Sequence, residues 1–138
     1  MAAKDLFHES VKRALEKQEW CITDDPLPLN YGGVKIQIDL AAERVLLAER
    51  GTEKIAVEVK SFLNPSTITD FYGALGQFLS YRLVLEKVEP DRRLYLAVPV
   101  ETYESFFQLG FTKSAIQQYG LTLLVYHPIA EEIAQWID

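Results

Sequence analysis

The sequence predicts an α/β domain with a mixed central sheet flanked by helices. Apolar residues recur at helical spacing near the start, aliphatic runs alternate with polar residues from Val34 to Lys60, and two later aliphatic runs each follow a helical segment. With 138 residues, 49% of them apolar and 25% charged, residues 1–138 suit one domain able to bury a core.

From Asp5 to about Glu19, Leu6, Phe7, Val11, Ala14 and Leu15 share a helical face, with Lys12, Arg13, Glu16 and Lys17 between them. Pro26 and Pro28 restrict the residues before them and remove backbone donors, which predicts an irregular connector ending at Gly32-Gly33. Val34, Ile36, Ile38 and Leu40 then alternate with Lys35, Gln37 and Asp39, the pattern of a half-buried strand. The runs Arg44 to Ala48 and Ile55 to Lys60, joined through Gly51, predict a hairpin. In the latter run Ile55, Val57 and Val59 form the core set, so Lys54, Ala56, Glu58 and Lys60 face the other side.

Ser66 is a suitable N-cap for a helix from Thr67 to about Lys87, which is apolar nearly all round and so should be buried between other elements. A strand (Leu94 to Val98), two helical stretches (Thr102 to Leu109 and Thr112 to Tyr119), a strand (Leu121 to Tyr126) and a final helix (Pro128 to Trp136) complete the reading. The aromatics of the last third are expected to be core, with a partner or homodimer surface as another use for some of them.

Cys21 is the sole cysteine, so one chain can form neither an internal disulfide nor a Cys-based zinc site; a small buried apolar group in a reducing compartment is its simplest reading. No apolar run resembles a signal h-region or spans a bilayer, and a cytoplasmic protein without a membrane partner is expected. A net charge of -6 opposes tight non-specific binding to nucleic acid, so contact with DNA needs a local basic patch or a basic partner. Arg82, Lys87, Arg92 and Arg93 are candidates for that patch, or form a solvated helix end.

A carboxylate two residues before a lysine at a strand end suits a hydrolytic metal site. Positions i and i+2 share a face, so Glu58 can bind a divalent ion while Lys60 holds the attacking water. Asp39, on the polar side of the preceding strand, is the second carboxylate that Mg²⁺ or Mn²⁺ would use. In a chain with 20 acidic residues and 8 lysines chance supplies about one such triplet, and cross-strand charge pairs on a solvated face are the competing reading. Gln77 and Tyr81, four apart on the next helix, add a second signal.

Carboxylate-x-lysine followed by Gln-x-x-x-Tyr resembles the PD-(D/E)XK nuclease superfamily, with its restriction-endonuclease-like αβββαβ core. The segments Lys4 to Glu9, Ile38 to Glu43, Ile55 to Phe62 and Asp70 to Phe78 resemble the XisH family of fdxN element excision controlling factors. That resemblance implies an accessory role in cyanobacterial site-specific excision of a DNA element, a small XisI-like protein partner, and DNA met directly or through that partner. It also implies Asp39 and Glu58 as metal carboxylates, Lys60 as the catalytic lysine, and Gln77 and Tyr81 as the helix contribution. Ile38 stands where the superfamily often has proline. An active Mg-dependent endonuclease and a catalytically dead interaction scaffold are the alternatives. His8 beside Glu9 is expected to be a surface pair, with an approach to the metal site as its alternative.

Overall fold

The computed structural model describes residues 5–46 and 51–138. In chain order it contains α1 (His8–Lys17), β1 (Cys21–Asp24), β2 (Leu27–Tyr31), β3 (Val34–Ile38), β4 (Leu40–Leu46), β5 (Gly51–Val59) and α2 (Thr67–Val88). There follow β6 (Arg92–Pro99), α3 (Val100–Glu104), a 3-10 turn (Phe106–Gln108), α4 (Gly110–Tyr119), β7 (Leu123–His127) and β8 (Glu132–Ile137).

Six strands form a mixed sheet in the order β1-β4-β5-β6-β7-β8, with β5, β6 and β7 parallel and the outer pairings antiparallel. Crossovers through α2 and through the α3–α4 segment make the two parallel pairings possible. On one face Val11, Leu15 and Trp20 pack with Leu40, Ile55, Val57, Val59 and Tyr126. On the other, Phe71, Ala74 and Phe78 of α2 cover Ala41, Ala56, Leu96 and Val98. The parallel strands are thus buried on both faces, as crossover helices require. The alternation read for β5 holds: Ile55, Val57 and Val59 lie on the α1 side and Ala56 on the α2 side.

Four expectations change. The connector predicted after Pro26 contains β2, because Leu27 and Leu29 bury an aliphatic face and pair with Ile38 and Ile36. The strand read from Val34 to Leu40 is two strands of different sheets, broken at Asp39. The final helix is a turn followed by β8, whose pairing with β7 outweighs local helical preference. Finally, α2 buries Phe71, Ala74, Phe78, Val84 and Leu85 but exposes Ile68, Tyr72 and Leu83, so it covers the sheet with one face only. The β4–β5 hairpin is present; Leu47, Ala48, Glu49 and Arg50 of the predicted run and link lie outside the described residues.

Candidate functional site

The site lies at the carboxyl ends of the parallel strands, where open α/β sheets leave a crevice. Leu40 is the last β4 residue facing β5, opposite Val57, so the amides of β5 beyond that point lack a β4 partner. Asp39 supplies it: its Oδ2 accepts the Val59 amide at 2.7 Å, and its own amide donates to Glu58 Oε1 at 3.2 Å. The bend between β3 and β4 thereby brings the two acids together, the Asp39 carboxylate accepting the Val59 amide and the Glu58 carboxylate accepting that of Asp39.

Glu58 is 6% exposed, on the α2 side of the sheet. Lys60 Nζ approaches Glu58 Oε2 at 3.7 Å, the one ion pair of that carboxylate among the described residues. Burial, and next the charge of Asp39, push the Glu58 carboxyl up to about 8, against the pull of Lys60. Burial also raises Tyr81, followed by the charges of Glu58 and Asp39, so this α2 phenol faces the same acids. Gln77, one turn earlier, lines a cleft of about 500 Å³ with Lys60, Asp5 and Asp70. Its Oε1 is buried without a hydrogen-bond partner among the described residues. All five residues singled out in the sequence therefore converge on one end of the sheet.

Local pattern did not disclose how Lys60 is held. Its amide donates to Ala97 O at 3.1 Å and its carbonyl accepts the Tyr126 hydroxyl at 3.1 Å. The next amide, of Ser61, donates to Asp5 Oδ2 at 2.9 Å. Asp5 also receives the Phe7 amide, which makes it look like an ordinary helix-start residue; its second partner lies 56 positions away.

Three lesser expectations are overturned. His8 is buried rather than on the surface, and its Nε2 bonds Asp25 Oδ1 at 2.7 Å, where Lys12 adds an ion pair at 2.9 Å. Cys21 is exposed, because β1 is an edge strand. Two arginines of the proposed basic patch are committed elsewhere: Arg92 is buried against Ile55 O and Glu89, and Arg82 donates to Gly120 O. Among the described residues, no helix is long and apolar enough to cross a membrane.

Two solved structures share this architecture. An XisH family protein from Nostoc punctiforme PCC 73102 is 51% identical, covering 97% of this chain and 100% of its own, with a TM-score of 0.89. An fdxN element excision controlling factor protein from Anabaena variabilis is 54% identical, covering 98% of this chain and 100% of its own, also with a TM-score of 0.89. No curated protein matches. The family model described as XisH protein matches residues 1–134, and with both neighbours sharing half of its residues the chain belongs to the XisH family.

Proposed function

We propose that this chain is an accessory factor in the excision of a DNA element, built on a PD-(D/E)XK-type scaffold that retains metal-dependent phosphodiester cleavage and works with a small XisI-like partner. The observation that carries the catalytic part is Glu58: a buried carboxylate held against Asp39, with Lys60 as its one ammonium among the described residues. A solvated charge-paired sheet face would leave Glu58 exposed and its ionisation ordinary. The name of the Anabaena relative supports the excision part.

The donor set fits a hard divalent cation. Two carboxylates crowd one point, and a cation between them would relieve the repulsion that raises Glu58. Asp39 and Glu58 would hold Mg²⁺ or Mn²⁺. Such an ion, when bound, polarises a phosphoryl oxygen and lowers the pKa of water. Lys60, fixed through its amide and carbonyl, presents its ammonium where an attacking water or a developing phosphorane charge can be stabilised. Gln77 offers a buried acceptor to orient that water, and Tyr81 closes the side facing β2 and β3.

Supercoiled DNA incubated with Mg²⁺ or Mn²⁺ should be nicked by the wild type. Lys60→Ala should lower the rate at least about a hundredfold at unchanged thermal stability. Equal nicking by both proteins would remove Lys60 from the chemistry, and none by the wild type would leave the fold as a binding scaffold. Co-purification with the protein partner should survive Glu58→Ala if the docking surface is separate from the cleft.

A further inference from the structure

β2 and β3 form a two-stranded ribbon apart from the main sheet. Its turn, Gly32-Gly33, has φ of 57° and 86°, the left-handed conformations of a tight two-residue hairpin connection. One face packs Leu27, Leu29 and Ile38 into the core under α2. The other face carries the cross-strand pairs Pro28–Gln37 and Asn30–Lys35, all exposed. Beyond the helix the tip leaves Tyr31 and Val34 in solvent.

The row Asn30, Lys35 and Gln37 makes no side-chain hydrogen bond or ion pair among the described residues, so its amide groups and ammonium are available to a ligand. Electrostatics narrows the ligand. Although the chain carries a net -6, residues 27–38 of the ribbon and 71–85 of α2 contain no acidic residue, and the ribbon adds the ammonium of Lys35. A groove of about 530 Å³ runs between the ribbon and Tyr81, whose phenol already faces Glu58 and Asp39. The acid-free surface of the ribbon therefore borders the two acids of the site.

We infer that the β2–β3 ribbon is the element that meets duplex DNA, placing Asn30, Lys35 and Gln37 in the major groove beside the Asp39–Glu58 site. A major groove about 12 Å wide admits a two-stranded ribbon, and side-chain amides read adenine edges while lysine reaches guanine or phosphate. This rests on the DNA-acting reading above, but it can fail separately from cleavage.

The test is fluorescence anisotropy of a mixed-sequence 30-base-pair duplex in EDTA, where no cleavage occurs. The triple variant Asn30→Ala/Lys35→Ala/Gln37→Ala, which alters only exposed side chains, should weaken binding at least about tenfold. Lys35→Ala alone should reduce the slope of log K against log salt by about one, and Lys113→Ala on α4 should change neither. Undiminished binding by the triple variant overturns the inference. So does a wild type that binds single strands or nothing in place of the duplex. Ribbon-dependent binding without any nicking in Mg²⁺ would instead retain the ribbon and refute catalysis.

Discussion

Glu58 is expensive to bury as an anion, and that cost gives the protein a measurable dependence on pH. Its carboxyl titrates near 4.5 when unfolded and near 8 when folded, so between those values the native state holds a proton that the unfolded chain has lost. Stability should fall as pH rises through this window, by on the order of a few kcal/mol in total. Urea unfolding at pH 5 and pH 8 is expected to show that fall in wild type, and Glu58→Gln should remove most of it while stabilising the protein at pH 8. A wild-type stability flat over this range would mean that Glu58 is already ionised and well solvated. Glu58 and Lys60 were legible in the sequence because an i, i+2 spacing fixes a shared strand face. Asp5 was not, since its contact with the Ser61 amide joins distant parts of the chain. His8 misled for a similar reason: a histidine beside a glutamate on a helix looks solvated until Asp25 arrives from the following loop to pair with it.

Asp39 illustrates what element boundaries decide. Its alternation with Ile38 and Leu40 continues unbroken through the sequence, yet the backbone changes sheets there, and the bend brings the carboxylate to Val59. Periodicity predicted the faces of β5 and the placing of Ile36 with Ile38 on one face of β3, but it placed Leu40 with them, whereas the bend turns Leu40 to the α1 side of the main sheet while Ile38 stays under α2. The C-terminal error has another origin. Ala, Glu and Gln within residues 128–137 favour helix locally, whereas Ile133 and Trp136 find a core only when paired beside β7, with Trp136 packing against Trp20 and Tyr95. On α2, Phe71 is fully buried and meets the rings of Phe106, Phe107 and Phe111, thereby fastening the helix start to the α3–α4 segment. Phe71→Ala should cost about 3–5 kcal/mol in denaturant unfolding. A loss below about 1 kcal/mol would show that the aromatic cluster collapses around the gap.

In the whole molecule, two helical layers enclose a mixed sheet and leave its carboxyl end open beside an acid-poor ribbon, while negative charge predominates elsewhere. The family resemblance reached this architecture because three of its four motifs fall on β4, on β5 with the sheet end after it, and on α2, the parts that shape the crevice. A fold in which two acids share one lysine should gain stability from a divalent ion, since a ligand bound only by the native state raises its unfolding free energy. Binding should also release the proton held by Glu58 below pH 8, so the apparent affinity should rise with pH up to that value. The decisive measurement is calorimetric titration of Mn²⁺ into wild type and Glu58→Ala at pH 7, in two buffers of different ionisation enthalpy. Saturable binding by wild type is expected, with a heat that differs between buffers as the proton leaves, and no binding by the variant. Identical isotherms for the two proteins, or no binding by wild type, would contradict a metal site at Asp39 and Glu58.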